Sequence, residues 1–425
     1  MENYFLGDLN EKQRGALNAV REGHNLFLTG PAGSGKSFLI NVIKKLYSRQ
    51  VAVTSTTGVS AVQLSGKTIH SWAGIGLGKG SVDDLVKNIK KSKALYRWKY
   101  TKILIIDEIS MLSPELFDKL CEIGMKIRDI NIPFGGIQLI LCGDFLQLPV
   151  INSVNFCFEA NYWDRTIHKV VYLDKILRQK NKSFAKMLEK ARLGICTKKM
   201  KILFLSRCGI KPNMDDGIIP TRLYSKNMEV DTINNVELGK LEGNLYTYNV
   251  DIEKRGLVND KLLENFIKRD KKITLKLGAQ VMLTENIDVE NGLANGSRGV
   301  VVGFANELPI VKFKCGVQQV VGRFERTYDC DNCWIKKRQV PLRLAWAITI
   351  HKCQGMTLDC IVTNLHKDEI FEYSMAYVAL SRVKSIEGLF LDAFSLRSIK
   401  CHPKALEFYQ KLSENNNTVN VITED

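Results

Sequence analysis

The tightest constraint on this chain is one short run, Gly30-Pro31-Ala32-Gly33-Ser34-Gly35-Lys36-Ser37. It fits G-x-x-x-x-G-K-[ST] and stands where that pattern has physical meaning, between the apolar segment Asn25-Leu-Phe-Leu-Thr29 and a stretch with helical spacing. A strand that turns through glycines into a helix N-terminus aims several backbone N–H groups at one point, and an anion collects there. Such a unit buries both faces of its strand, so it requires a parallel sheet flanked by helices. Gly30, Gly33, Ser34 and Gly35 are the expected phosphate cradle. Lys36 supplies a charge for the outer phosphates, and Ser37 offers a hydroxyl to a bound Mg²⁺.

The surrounding pattern agrees. Asn10 is placed to cap a helix that runs through Gln13 to about Arg21. Further buried strands are expected at Val51–Ser55, Ile103–Asp107 and Ile137–Cys142. The strand Ile103-Leu-Ile-Ile-Asp107-Glu108 ends in two carboxylates, at the sheet edge where ligands of open α/β folds bind. Asp107 is expected to hold the Mg²⁺ shell and Glu108 to orient or deprotonate an attacking water. The next strand ends Gly143-Asp144-Phe145-Leu-Gln147, which sets Gln147 toward a γ-phosphate, while Asp144 reads either as part of that site or as a turn cap.

Two stretches interrupt the alternation. After the glycines 74, 76, 78 and 80, a basic amphipathic helix is expected over about Val82 to Lys99, outside the sheet. From about Ile273 to Val340, short Val-rich strands are separated by Asn291-Gly292 and Asn295-Gly296, which suggests a small β-barrel inserted into an α/β domain. Residues from about Glu414 onward read as a polar, frayed end. The formal net charge of +16 favours a polyanionic partner. No apolar run is long enough to span a membrane, and the first residues carry no secretory signal, so nucleus or cytoplasm is expected. Cys330 and Cys333 have metal-ligand spacing without a second pair, so they read as a turn between strands.

Several ordered segments together make the chain resemble the petite-integration-frequency (Pif) family of superfamily-one DNA helicases. They are Leu9-Asn-Glu-Lys-Gln13, Thr56-Thr-Gly-Val-Ser-Ala61 continuing to Thr68-Ile-His70-Ser-Trp-Ala-Gly-Ile75, and Leu173-Asp-Lys-Ile-Leu-Arg178-Gln. The segment from Glu115 to Ile140, then Val340 through Thr349-Ile-His351-Lys352-Cys-Gln354-Gly355-Met-Thr357, and Ala376-Tyr-Val-Ala-Leu-Ser381-Arg382 complete the set. With little before the glutamine element, the chain reads as a bare motor core.

The resemblance implies an α/β fold with two RecA-like motor domains. The first spans residues 1–170 with a helical insertion at about 77–100, and the second spans 171–272 and 341–405. A Src-homology-3-like barrel at 273–340 and a C-terminal tail at 406–425 complete the division. It implies ATP and Mg²⁺ as cofactors, with Gln13 on the adenine and Gln354 coupling nucleotide state to the second domain. Arg178 and Arg382, both assigned to that second lobe, become arginine fingers. It implies 5′-to-3′ movement of a monomer on single-stranded DNA, with tailed or forked duplexes as substrates, in replication, repair, recombination or telomere maintenance. Thr57, Gly58, His70, His351 and Lys352 are the expected strand contacts. Phe145 or Trp72 would stack a base unless they are core, and Lys312, Lys314, Arg323 and Arg326 would guide DNA unless they form a solvated face. An RNA helicase and a non-catalytic DNA-binding module are the competing readings.

Overall fold

The computed structural model describes residues 7–48, 50–150, 154–212, 217–256, 272–288, 291–330 and 333–415. The chain packs into two compact units: residues 1–196, 372–381 and 399–425 form the first, and residues 197–371 and 382–398 the second.

The first unit opens with helix α1 (Glu11–Arg21), capped by Asn10 as its sequence requires. Gln13 N–H donates to the Asn10 side chain at 2.9 Å, and Gln13 Oε1 accepts from the Asn10 N–H at 3.0 Å, a reciprocal capping box. Strand β1 (Leu26–Thr29) follows, then α2 (Lys36–Leu46), β2 (Val51–Ser55), α3 (Gly58–Gln63), β3 (Lys67–Thr68) and α4 (Ile69–Ala73). The helical insertion, expected as one helix, is two: α5 (Val82–Lys90) and α6 (Ala94–Tyr100). Ser92 divides them, because its hydroxyl donates to Ile89 O at 2.9 Å and accepts from Ala94 N at 3.0 Å in place of the helical ladder. Strand β4 (Ile103–Asp107), α7 (Pro114–Arg128), β5 (Gln138–Gly143), β6 (Lys169–Tyr172) and α8 (Lys182–Arg192) complete the run.

The six strands form one sheet in the order β3-β2-β4-β5-β1-β6, parallel at every pairing. Its central strands are apolar throughout: Leu26, Phe27 and Leu28, with Leu104, Ile105 and Ile106, are fully buried. The end of β5 therefore lies between the ends of β1 and β4, which brings three loops of different sequence origin to one edge.

The C-terminal segment overturns its reading as a tail. Pro403–Asn415 is a helix packed into the first unit's core, with Ala405 and Tyr409 fully buried; residues 416–425 lie outside those described. The Phe408 ring stacks on Phe158 at 4.2 Å between centroids.

The second unit holds a four-stranded parallel sheet in the order Ala347–Thr349, Thr221–Tyr224, Ile361–Leu365, Leu389–Phe394. Between the first two of these in the chain lies a strand-rich insertion. Gln318–Val320, Leu308–Phe313, Arg298–Ala305, Gln280–Leu283 and Leu342–Leu344 pair antiparallel around a core containing Val281, Val301, Val311 and Phe313. Phe324–Cys330 and Cys333–Gln339 form a hairpin whose last backbone pair is Cys330 with Cys333; residues 331–332 lie outside those described. The α/β class, the helical insertion in the first unit and the β insertion in the second are those expected.

Candidate nucleotide and strand-binding site

At the end of β1 the chain turns through Gly30, Gly33 and Gly35, all at positive φ, before α2 begins at Lys36. All three of these glycines are required by close approach as well as by conformation, Gly30 because a Cβ there would lie 2.3 Å from Leu173 O. A Cβ on Gly33 would lie 2.5 Å from Arg178 Cβ, and one on Gly35 would lie 2.6 Å from Gln13 Nε2. Any side chain at either position would push an expected nucleotide-handling residue away from the loop.

Lys36 Nζ donates to Gly30 O at 2.7 Å and Pro31 O at 2.9 Å, so the ammonium is held against its own loop. Burial lowers its pKa, opposed by Asp144 and Glu108, and a phosphate would replace weak carbonyl partners with a full charge. Ser34 is buried beneath the loop and Ser37 is exposed at the start of α2. Gln13 is almost wholly buried; its Oε1 is used by the capping box, and its Nε2 is a buried donor with no protein partner. An unsatisfied amide donor beside the glycine turn suits a ring-nitrogen acceptor such as that of adenine, so these residues fit a nucleoside triphosphate.

At the end of β4, Asp107 is buried and accepts a short hydrogen bond from Ser60 Oγ. Burial raises its pKa, more strongly than the bonds from Ser60 and the Lys36 charge lower it. A dehydrated carboxylate of this kind gains from a divalent cation, so Asp107 could hold one. Glu108 follows in the left-handed conformation (φ 54°), which turns it out of the strand direction.

Asp144, left open between site member and turn cap, is the centre of a buried network. Arg192 of α8 grips it with two bonds, Nε to Oδ2 at 2.9 Å and Nη2 to Oδ1 at 2.8 Å, and donates to Tyr172 Oη at 3.1 Å. The Tyr409 hydroxyl donates to Asp144 Oδ1 at 3.2 Å, accepts from Phe145 N at 3.2 Å and shares a 2.5 Å bond with Thr29 Oγ1. Burial alone would raise the Asp144 pKa; the Arg192 charge and hydrogen bonds outweigh it and leave the carboxyl below its ordinary value. Gln147, also buried, is placed by the same turn, its N–H donating to Asp144 O at 3.0 Å.

Comparison with known proteins agrees with this geometry. The family model for PIF1-like helicases matches residues 8–201, and that for the 2B domain of the DNA helicase Pif1 matches residues 259–304. The crystal structure of Pif1 helicase from Candida albicans superposes with a TM-score of 0.82 at 37% identity, covering 95% of this chain and 99% of that one. The chain belongs to the Pif1 helicase family. The curated ATP-dependent DNA helicase PIF1 of Xenopus laevis is 39% identical over 419 residues, which is 96% of this chain and 65% of that protein. The chain thus spans slightly less than two thirds of the length of the curated PIF1 helicases of Xenopus laevis and Danio rerio. A structure of Bacteroides Pif1 bound to single-stranded DNA is 27% identical, with a TM-score of 0.69, and covers 96% of this chain and 98% of that one.

In this Pif1-family chain, the structure groups the expected residues by unit. Gln13, the glycine turn, Lys36, Ser37, Asp107, Glu108 and Gln147 share the first unit with Thr57, Gly58 and His70, while His351, Lys352, Gln354 and Arg382 belong to the second. Arg178 is a correction. It was assigned to the second lobe, but it packs in the first, because after β6 the chain doubles back along the glycine turn: Leu177 N donates to Gly33 O at 2.8 Å and Arg178 Nη1 to Ser381 O at 2.8 Å. Arg382 is almost wholly buried, with Nη1 donating to Met356 O at 3.3 Å.

Gly58 and Lys352 are exposed, while Thr57, His70 and His351 are half-buried. Burial lowers the His70 pKa, which favours the neutral imidazole at neutral pH. Phe145 and Trp72 are core residues: Phe145 packs against Phe27 and Phe408, and Trp72 lies 4.7 Å from Trp98. In the insertion, Arg323 pairs with Asp251 and Arg326 with Glu285, so these two of the four expected guiding cations are already neutralised. Sequence reasoning missed Ser60, Arg192 and Tyr409. Ser60 sat inside a quoted motif, and only its helical spacing from Thr56 and Thr57 hinted that it turns back toward the sheet.

Proposed function

We propose that this chain is an ATP-dependent DNA helicase that moves 5′ to 3′ along single-stranded DNA and separates duplex ahead of it. The observation that supports this most directly lies at one sheet edge. Asp107 and Glu108 are hydrogen-bonded to the segment that carries Thr57 and Gly58, through Ser60 Oγ to Asp107 Oδ2 and Thr56 Oγ1 to Glu108 O at 2.8 Å. A nucleotide-handling pair and a strand-handling loop that share hydrogen bonds suit a machine in which hydrolysis and strand movement are linked.

In this reading the glycine turn and Lys36 bind the phosphates, Gln13 reads the base, and Ser37 with Asp107 holds Mg²⁺. When bound, the metal would supply charge neutralisation at the outer phosphates. Glu108 takes a proton from the attacking water, and Gln147 orients it. Arg178 and Arg382 neutralise the charge that develops in the transition state, a contribution of order 10³–10⁵ in rate for such arginines. Gln354 carries the response to nucleotide state, and Thr57, Gly58, His70, His351 and Lys352 hold the strand backbone.

The test is an ATPase and unwinding assay with duplexes tailed on the 5′ or the 3′ side, alongside matched RNA strands. ATPase stimulated by single-stranded DNA and unwinding of the 5′-tailed duplex are expected, both abolished by Lys36→Ala. Unwinding confined to the 3′-tailed duplex would refute the polarity. Stimulation by RNA alone would refute the substrate, and undiminished turnover in Lys36→Ala would refute the site.

A further inference from the structure

Helices α5 and α6 carry a surface that the proposed mechanism does not use. Between Asp84 and Asp107 the chain has no acidic residue, yet Lys87, Lys90, Lys91, Lys93, Lys99 and Lys102 all lie there, and all six are exposed. Among the described residues none of the six is held in an ion pair. Unpaired lysines alone would be an ordinary solvated face. What sets this face apart is Tyr96 and Tyr100, one helical turn apart on α6, whose rings stack nearly parallel (16°) with centroids 6.1 Å apart. They are 66% and 71% exposed. Two large aromatic faces left in water among cations have the composition of a platform for unpaired bases, which stack on any π-face whatever their identity.

The platform is rigidly attached to the strand-binding segment. Arg97 Nε donates to Trp72 O at 2.6 Å and its Nη2 to Ser71 O at 3.0 Å, while Trp98 Nε1 donates to Ala73 O at 3.0 Å. All three acceptors belong to α4, the helix that carries His70. The contact is close enough that a Cβ on Gly74 would lie 2.4 Å from Ala94 Cβ. The inward face of α6 is thus held against α4 by these bonds, while Tyr96, Lys99 and Tyr100 stay exposed.

We propose that the outward face of α5 and α6 is a second single-stranded DNA contact, in which Tyr96 and Tyr100 stack unpaired bases and Lys90, Lys93 and Lys99 neutralise the adjoining phosphates. A single strand fits better than a duplex because paired bases offer no free face to a tyrosine ring. The inference rests on the helicase reading, and its test separates the two.

The full chain is titrated with fluorescent oligo-dT of two lengths, one of about eight nucleotides and one of about thirty, across a salt series. Tyr96→Ala/Tyr100→Ala should bind the long strand at least about 25-fold more weakly, at roughly fivefold or more for each of the two lost stacks, and the short strand as wild type does. Tyr96→Phe/Tyr100→Phe keeps the ring faces and should retain wild-type affinity, which separates stacking from hydroxyl contacts. Lys90→Gln/Lys93→Gln/Lys99→Gln should flatten the log–log salt slope for the long strand by about two units, at roughly 0.7 per phosphate contact. Basal ATPase without DNA should be unchanged in all three. Wild-type affinity for the long strand in the tyrosine-to-alanine variant would overturn the proposal. So would a lysine variant that weakens blunt duplex and single strands equally, which would make the face a general cationic track. A wild-type chain that binds neither oligonucleotide would bring down the helicase reading and this proposal together, whereas normal wild-type binding with unaffected variants would refute the second contact alone.

Discussion

Replacing Arg192 with methionine tests the largest electrostatic commitment in the first unit. The Arg192 and Asp144 side chains are 2% and 0% exposed, so neither charge has water to fall back on. The variant removes the two charge-assisted bonds to Asp144 and the bond to Tyr172, while methionine refills most of the volume. Asp144 Oδ1 keeps the donors Leu146 N at 3.1 Å and Tyr409 Oη at 3.2 Å, but Oδ2 keeps only Gln147 Nε2 at 3.5 Å. Removing one partner of such a pair costs about 3–5 kcal/mol, because a buried charge is left uncompensated. Urea unfolding followed by tryptophan fluorescence reads this directly, since Trp72, Trp98 and Trp163 all lie in the first unit's core.

The pH dependence gives the prediction a sign. In the wild type the folded Asp144 pKa is depressed, so its contribution is present above the unfolded value and is lost only as pH falls through the folded one. In Arg192→Met burial acts without the arginine and the pKa rises, so the variant is worst at neutral pH and recovers as the carboxyl protonates on acidification. The gap between wild type and variant should narrow toward acid. Adding Asp144→Asn to Arg192→Met should restore part of the loss at neutral pH. A cost under about 1 kcal/mol, or a gap independent of pH, would refute the account of a charge held in place by its partner.

Tyr409→Phe should cost about 1–3 kcal/mol in the same assay, since Phe145 N–H loses its acceptor in a site closed to water; unchanged stability would mean the hydroxyl bonds do not matter. If Asp107 holds the metal as proposed, the acid limb of kcat/KM for ATP should lie above the ordinary aspartate range, because burial raises the free-enzyme pKa of that carboxyl. A limb at the ordinary aspartate value would show that Asp107 titrates as a solvated group.

The strands were legible because their signals are local. Val51–Ser55 and Ile103–Asp107 are bounded in the fold as they read in the sequence: apolar, β-branched runs closed by hydroxyl or acidic residues. The α1 cap was legible for the same reason. What the sequence hid depends on partners far along the chain. Arg192 lies 48 residues from Asp144, and Tyr409 lies 265, so nothing near either residue announces the network. The chain from residue 406 reads as a tail because only a narrow stripe of the helix Pro403–Asn415, centred on Ala405 and Tyr409, is buried. Arg178 was misplaced because a motif's order in the chain says nothing of whether the chain doubles back, and here it does so against a glycine. Trp72 and Phe145 show the limit of residue type, since an aromatic serves core and base-stacking surface equally well until its neighbours are known.

The register of the sheet explains why the segment of Thr57 and Gly58 meets the segment of Asp107 and Glu108 at all. Strands β2 and β4 pair in parallel with Ser55 opposite Asp107, so the chain leaves both strands at the same level and on the same edge. Thr56 N then donates to Asp107 O at 3.1 Å, Ser55 Oγ to the same carbonyl at 3.3 Å, and Thr56 Oγ1 to Glu108 O at 2.8 Å. Thr57 and Gly58 follow immediately, with no intervening residue to absorb a displacement, and Ser60 returns from α3 to the Asp107 carboxylate itself. In the proposed function, a DNA strand that shifts Thr57 or Gly58 would strain bonds to both carboxylate-bearing residues, and a proton or metal ion arriving at Asp107 would compete for the same oxygen that Ser60 holds. The coupling proposed for this unit would need no long relay, because two neighbouring parallel strands end in register.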